Sequence, residues 1–172
     1  MMSVKKKKAS ESEVIMTELV LPNDTNSLDN LMGGRLMHMM DIAAAVSAQR
    51  HSNSIAVTAS VDNVSFRHPI AQGDVVTINA KVTRAFRSSM EVYLEVLSES
   101  VPANEKKKTN SAFFTFVAVD DNGNPRQIPE VEPESDKEQT LYEGALRRRQ
   151  LRLVLANRMK PEEATELKSL FS

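Results

Sequence analysis

One run of strong helix formers, preceded by a turn-rich segment, most constrains how this chain can fold. Residues 23–30 are rich in Asn, Asp, Thr and Ser, whose short side chains bond their own backbone and favour turns. Residues 33–49 open with Gly33-Gly34 and continue mainly in Leu, Met and Ala, without a proline. The pattern predicts one long helix that begins at the glycine pair, where the backbone can be approached closely.

Apolar and polar residues alternate at every second position in several other segments, which is the pattern of half-buried strands. The predicted strands are 12–21, 55–61, 76–83, 91–96 and 111–119. In the second of these the apolar phase changes after Asp62-Asn63, which indicates a bulge or a bend there. We expect the last four strands to form an antiparallel meander that the single helix covers, and therefore an α+β fold.

The two ends of the chain differ in composition from its middle. Residues 1–11 are rich in Lys and Ser and predict a disordered tail. Pro and Glu dominate residues 125–134, which is typical of a linker or extended arm, and residues 136–158 predict a helix. The predicted organisation is the tail, one domain over 12–122, and a linker with a C-terminal helix over 123–172. Residues 101–110 predict a charged loop within the domain.

Composition limits the classes of function. The 22 Lys and Arg residues nearly balance the 23 Asp and Glu residues, which argues against nucleic acid as a partner. The chain has no cysteine, and its three histidines lack a familiar zinc spacing. No apolar run reaches ~18 residues, and no apolar segment follows the N-terminal lysines, so neither a membrane span nor a secretory signal is predicted. We expect a soluble, intracellular protein.

One carboxylate lies inside the predicted helix. Asp41 has Met37 and Ala45 four residues away, so it shares a face with apolar neighbours. A charge on such a face is solvated, paired or chemically active, and a carboxylate can act as a base or a nucleophile. The free amides near Gly33, at the start of the helix, attract a developing negative charge.

The spacing of these two groups has a consequence for assembly. Eight residues separate Gly33 from Asp41, a rise of about 12 Å along a helix. The two groups of one chain therefore cannot both touch one carbonyl group. They could meet if two copies of the helix packed around a two-fold axis, with Gly33 of one copy facing Asp41 of the other. An active site of this kind would belong to a dimer.

Several ordered motifs resemble those of one enzyme family. They are PNDTN (22–26), NLMGGRLM (30–37), MDIAAA (40–45), QRH (49–51), VTASVDNVSF (57–66), GDVV (73–76) and RAFRSSMEV (84–92). Over roughly residues 12–120 the chain resembles the hotdog-fold acyl-CoA thioesterases, in the branch of the cytosolic acyl-CoA hydrolases. The resemblance implies a hotdog fold, an antiparallel sheet wrapped around one long central helix, here followed by a C-terminal helical extension.

The resemblance also implies an activity and an assembly. The expected reaction is hydrolysis of fatty acyl-CoA to free fatty acid and CoA in the cytoplasm. It needs neither a metal nor a redox cofactor, since CoA is part of the substrate and the product. The expected partners are acyl-CoA and CoA, with no nucleic acid and no membrane. The expected assembly is at least a homodimer, commonly a trimer of dimers.

By resemblance, four residues are candidates for catalysis. Asp41 would be a general base for water, or a nucleophile that forms an anhydride. Gly33 and Gly34 would present an amide to the thioester oxygen, with Gly33 favoured. Asn30 would help to orient substrate or water. The alternative for the glycines is tight packing at a helix entry, and for Asn30 a plain cap or turn residue.

A second set of residues is implied in CoA binding. They are Arg67, Arg84, Arg87, Ser88 and Ser89. Guanidinium and hydroxyl donors suit phosphate oxygens, although a hairpin with solvated arginines has the same pattern.

Two rival functions fit the fold. A hotdog module that only binds acyl-CoA would not need Asp41, and a hydratase uses a histidine in a different motif.

Overall fold

A long helix and an antiparallel sheet form the main part of the protein. The structure, a computed structural model, describes residues 5–171. Helix α1 comprises Gly33–Ser52. The sheet contains β2 (Val14–Leu19), β3 (Ile55–Asp62), β4 (Val75–Ala85), β5 (Ser89–Ser100) and β6 (Glu105–Val119). A further strand pair consists of β1 (Lys6–Lys8) and β7 (Glu130–Glu132), which are parallel.

The core lies between α1 and one face of this sheet. On α1 the buried apolar residues recur three or four positions apart, as expected for one helical face. They are Leu36, Met39, Met40, Ala43, Ala44 and Ala48. Every second residue of the central strands is buried with them, including Ile78, Met90, Leu94, Phe114 and Phe116. Each large apolar side chain buried in this way contributes roughly 1.5–3 kcal/mol. The predicted α+β arrangement is confirmed.

The predicted meander of the last four strands is wrong in one respect. The strand order is β2-β4-β5-β6-β3, so only β4, β5 and β6 are consecutive neighbours. Strand β3 pairs with β6, with Ile55 opposite Val119. The segment between β3 and β4, residues 63–74, therefore runs from the edge strand β3 to β4, which lies next to the opposite edge strand β2. Alternation along a strand reports its exposure but does not identify the neighbouring strand.

Two local predictions within the sheet are also corrected. The bulge lies between Thr58 and Ser60, where the pairing with β6 shifts, rather than at residues 62–63. Asn63 has a φ of 35°, a left-handed conformation that follows the end of β3. The predicted loop over 101–110 is a short turn, because β6 begins at Glu105. The lysines of this segment pair with β5, and charge alone did not reveal their strand conformation.

The predicted tail over residues 1–11 is wrong for the part that the structure describes, while residues 1–4 lie outside it. Lys6–Lys8 form β1, and Ala9–Ser12 form a 3₁₀ turn. Ser12 is fully buried. Its hydroxyl accepts a hydrogen bond from Val82 N at 2.9 Å and donates one to Ala9 O at 2.8 Å. Two small residues thus anchor a segment whose lysines had indicated disorder.

The domain boundary lies after Glu132 rather than after residue 122. Ile128 and Val131 are buried in the first unit, so most of the predicted linker belongs to that unit. The second unit contains α2 (Asp136–Leu155) and α3 (Thr165–Lys168). The side chain of Ser135 caps α2. No helix within residues 5–171 has the length and hydropathy to span a membrane.

Candidate active site

Helix α1 begins at Gly33, as predicted, and its first turn is open to an anion. Met32 is the N-cap residue, with extended backbone angles (φ −63°, ψ 136°), and its side chain makes no capping hydrogen bond. The first turn contains no acidic residue. The first amides of a helix have no partner within the helix and carry the positive end of its dipole. This end of α1 can therefore stabilise a negative oxygen.

A partly buried ion pair holds the loop that precedes α1. Asp24 is buried, and its Oδ1 accepts a hydrogen bond from Arg35 Nε at 2.8 Å. The other carboxylate oxygen accepts one from Leu21 N at 3.2 Å. The backbone carbonyl of Asp24 accepts one from Met32 N at 2.9 Å. Because Arg35 lies in the first turn of α1, the ion pair fixes the loop relative to the start of the helix.

Asn26, rather than Asn30, organises the turn of this loop through its side chain. Asn26 Oδ1 accepts hydrogen bonds from Leu28 N at 2.9 Å and from Asn30 N at 3.2 Å. Asn30 is half-buried, and its carbonyl accepts a hydrogen bond from Asn26 N at 2.8 Å. The catalytic role of Asn30 stays a prediction. In the sequence, Asn26 stands out only as part of a turn and of a family motif.

The two glycines at the start of α1 have different surroundings. A Cβ atom at Gly33 would lie 3.4 Å from two carbon atoms of the Phe66 ring. A Cβ atom at Gly34 would meet nothing within 4 Å. At 3.4 Å a Cβ atom at position 33 would make an ordinary van der Waals contact with the Phe66 ring, and position 34 is open. The surroundings therefore do not require glycine at either position, and the catalytic roles of both glycines stay predictions.

Asp41 is oriented by a threonine that the sequence reasoning missed. The Asp41 carboxyl group is half-buried, and its Oδ1 accepts a hydrogen bond from Thr58 Oγ1 at 2.7 Å. Thr58 lies in β3, on the strand face opposite to Ile55 and Val57. In a half-buried strand the apolar face is expected to be the buried one, yet these residues are 52% and 47% exposed. The signal for Thr58 in the sequence was its place on the polar face of the alternating strand.

The exposed side of this site is apolar. On α1, Ile42 and Val46 are exposed one turn apart, beside Asp41. On β3, Val61 is exposed too, whereas Ile55 and Val57 are exposed on the opposite face of the strand. Strand β3 is an edge of the five-stranded sheet, so one row of its backbone groups has no strand partner within the described residues. Asp41 and Thr58 thus lie on a surface with the properties of an interface.

The predicted CoA-binding residues do not form one cleft in a single chain. Arg87 and Ser88 line a cleft of about 310 Å³, together with residues 125–127. Arg67 lines a separate cleft of about 430 Å³ with His68 and Lys108. Of the remaining two, Arg84 lies at the end of β4, with its guanidinium 5.9 Å from the centre of the Phe86 ring. Ser89 begins β5, and its carbonyl closes the hairpin turn.

Comparison with known proteins assigns the chain to a family. Residues 28–102 match the family model of the thioesterase superfamily. The chain is 43% identical over 138 residues to the uncharacterized acyl-CoA thioester hydrolase YkhA of Bacillus subtilis, covering 80% of each chain. This chain belongs to the thioesterase superfamily and, within it, to the acyl-CoA thioester hydrolases. The resemblance of its motifs to that family is confirmed.

Solved structures agree with this assignment. An apo-hexameric acyl-CoA thioesterase matches with a TM-score of 0.87 and 40% identity, over 89% of this chain and 98% of the other. The acyl-CoA hydrolase of Staphylococcus aureus, in complex with butyryl-CoA and CoA, matches with a TM-score of 0.82 and 37% identity, over 88% and 94%. The hotdog fold is thereby confirmed. Alanine variants of an aspartate, an asparagine and a threonine of the Staphylococcus aureus protein match similarly.

Proposed function

We propose that the protein hydrolyses fatty acyl-CoA thioesters to the free fatty acid and CoA, with Asp41 as the reacting carboxylate. The observation that carries the proposal is the Asp41–Thr58 hydrogen bond on an exposed apolar surface, in a chain of this family. A further observation supports it. The three positions replaced by alanine in the Staphylococcus aureus hydrolase have the same spacing as Asn26, Asp41 and Thr58 in this chain.

The proposed chemistry follows from the two ends of the site. Asp41 either removes a proton from the water that attacks the thioester carbonyl, or attacks the carbonyl itself and forms an anhydride that water then opens. Both routes place a negative charge on the carbonyl oxygen, which the Gly33 N–H stabilises at the positive end of α1. The C–S bond then breaks, and the CoA thiolate leaves and takes up a proton. Thr58 holds the carboxylate in one orientation.

The proposed site is shared between two copies of the chain. Gly33 is the first residue of α1 and Asp41 the ninth, about 12 Å apart along the helix. One thioester cannot reach both in the same chain, so the Gly33 of a second copy would face Asp41. The exposed apolar residues of α1 and β3 support this contact, as does the hexameric state of a relative at 40% identity. A trimer of such dimers is the assembly that we propose.

We further propose that the CoA moiety lies along the cleft at Arg87 and Ser88, where guanidinium and hydroxyl groups can donate to phosphate oxygens. The roles of Arg67, Arg84 and Ser89 in CoA binding, and those of Asn30 and Gly34 in catalysis, stay predictions.

Thiol release from a panel of acyl-CoA substrates tests the proposed function. The wild-type protein should release CoA from at least one chain length. Asp41→Asn, which keeps an oxygen for the Thr58 hydroxyl, should lower kcat by about 100-fold or more and still bind CoA. Asp121→Asn, at an exposed turn, is the matched control and should leave kcat unchanged. Binding of acyl-CoA without any turnover by the wild type would identify a binding module instead.

A further inference from the structure

We propose that Arg126 is a phosphate-binding residue for CoA, and that Arg87, Ser88 and Arg126 together form a two-guanidinium phosphate site. The inference rests on the proposed function for the identity of the ligand. Arg126 is outside the set of residues that the sequence motifs indicated for CoA. It follows the turn of residues 120–124, in a segment whose composition indicates a linker.

The cleft that contains Arg126 has the chemistry of an anion site. Its lining consists of Arg87, Ser88, Pro125, Arg126 and Gln127, and its volume is about 310 Å³. These five residues provide two guanidinium groups, a hydroxyl and an amide, and none of them is acidic. Guanidinium groups present several N–H donors in a planar fork that matches phosphate oxygens. Two like charges in one cleft repel each other, and a bound phosphate removes that cost.

Backbone hydrogen bonds hold the two walls of the cleft together. The carbonyl of Arg87, on one wall, accepts a hydrogen bond from Ile128 N at 3.1 Å. Ile128 directly follows Gln127, the last residue of the opposite wall. On β6, Ala118 N donates to Ser88 O at 2.8 Å, and Ala118 O accepts from Arg126 N at 3.0 Å. One residue of the sheet thus holds both walls. A site whose backbone is already ordered loses less conformational entropy on binding.

A nearby carboxylate does not neutralise Arg126 as a close ion pair would. The Asn124 backbone N–H is the main cause that holds the pKa of Asp120 below its usual value, and the charge of Arg126 makes the smallest contribution. Asp120 Oδ1 accepts hydrogen bonds from Asn122 N and Asn124 N, both at 2.9 Å. The Asp120 carboxylate therefore stabilises the turn that precedes Arg126.

The register of the sheet places this cleft at a suitable distance from the reacting carboxylate. Thr58 pairs with Phe116, and Phe116 pairs with Met90 on the next strand. Two strand spacings separate Thr58 from Met90, which is about 10 Å. Ser88 lies two residues before Met90. The cleft and the Asp41–Thr58 pair thus lie at the same end of the sheet, separated by a distance that a long thioester ligand can span.

The other basic cleft is less suited to the same group. Its Lys108 forms an ion pair with Glu95, with Nζ and Oε1 3.2 Å apart, and donates a hydrogen bond to Tyr93 Oη at 3.2 Å. Part of its charge is already compensated. It also lies farther along β6, because Asn110 is six residues before Phe116, about 20 Å along a strand. The observations therefore favour the Arg87–Arg126 cleft.

The test compares Arg126→Ala with the wild type on three thioesters that differ only in their phosphates. They are the best acyl-CoA of the panel, the corresponding acyl-dephospho-CoA, and the corresponding S-acyl-pantetheine. With acyl-CoA, KM should rise about tenfold while kcat changes little, because loss of one charged hydrogen bond removes uniform binding. With acyl-pantetheine, which has no phosphate, KM should not change. Lys107→Ala, an exposed cation on β6, is the charge-matched control and should leave KM unchanged.

The acyl-dephospho-CoA measurement identifies which phosphate binds. If the effect of Arg126→Ala disappears with this substrate, the site takes the 3′-phosphate; if it persists, the site takes the diphosphate. An unchanged KM for acyl-CoA, or an equal rise with acyl-pantetheine, would overturn the inference. Calorimetric titration with CoA separates it from the proposed function. A wild-type protein that hydrolyses nothing but binds CoA about tenfold more tightly than Arg126→Ala would refute the hydrolase and retain the phosphate site.

Discussion

The two edge strands of the sheet differ in charge and in the residues beside them. Strand β2 contains Glu18, which lies 3.5 Å from Arg35, and charge is a common means of blocking an edge strand from further pairing. Strand β3 has no charged residue from Ile55 to Val61, and its Thr58 binds Asp41. Apolar residues are exposed at both edges, but only at β3 are they next to the proposed chemistry. The difference teaches that the proposed interface and the proposed active site occupy one surface.

The largest expected effect comes from a charge placed on that surface. Val46→Lys, one turn after Ile42 on α1, should prevent dimer formation and abolish nearly all activity, because like charges brought together at an interface cost several kcal/mol. Sedimentation velocity and thiol release on the same samples measure both effects. Ile15→Lys is the matched control on β2, at a side chain that is 66% exposed. It should leave the dimer and its activity intact; a fully active monomer of Val46→Lys would refute the shared surface.

A smaller effect is expected from the hydroxyl that holds the carboxylate. Thr58→Val keeps the shape of the side chain and removes the 2.7 Å hydrogen bond to Asp41, so kcat should fall about tenfold. Thr58→Ser keeps the hydroxyl and should retain most of the activity. Steady-state kinetics with one acyl-CoA distinguish the two variants. Equal kcat values for Thr58→Val and Thr58→Ser would show that the hydrogen bond is not used.

The smallest expected effect lies at the other end of α1. Burial lowers the pKa of His51, although a hydrogen bond to Pro129 O at 2.8 Å opposes this change. Because the folded-state pKa is below the unfolded value of about 6.5, the unfolded chain binds more protons at mildly acidic pH. Stability should therefore decrease as pH falls through 6.5 and below. His51→Gln should remove this contribution.

Urea unfolding of both proteins at pH 7.5 and pH 5.5 measures the effect of His51. The free energy of unfolding should decrease more for the wild type than for His51→Gln between these values. The variant also serves as the control for all other titrating groups, which the two proteins share. An equal decrease in both would show that His51 does not link stability to pH.

Local chemistry explains which parts of the fold the sequence predicted. The start of α1 at Gly33 was predictable because glycine, turn residues and helix formers are close together in the chain. The strands were predictable from alternation, but the pairing of β3 with β6 joins segments about 60 residues apart and leaves no local signal. At Lys6–Lys8 the composition indicates disorder. The contact that orders this segment, the burial of Ser12, is made with a strand about 70 residues away and leaves no local signal.

The candidate site divides in the same way. Asp41 and Gly33 could be proposed from the sequence because a lone carboxylate and a glycine pair stand out within one helix. Thr58 and Arg126 could not, since their relevance depends on which helix face or hairpin the sheet brings beside them. Residue type alone does not show which side chains share a cleft, as Arg67 illustrates. It shares the residue type of Arg87 but lies in another cleft.

Shared sites across a dimer are the central claim, and two defective variants can test it. Asp41→Ala removes the reacting carboxylate. Gly33→Pro removes the amide donor at the first helical position, where proline fits a helix and where the extended backbone of Met32 is compatible with a following proline. Each variant alone should have little activity and a wild-type unfolding transition.

The decisive measurement is the activity of a mixed dimer of these two variants after verified subunit exchange. If sites form across the interface, one site of the mixed dimer carries both lesions and the other carries neither. Activity should then return to about half of the wild-type value per mixed dimer. Verified exchange without any recovery of activity would contradict the shared site.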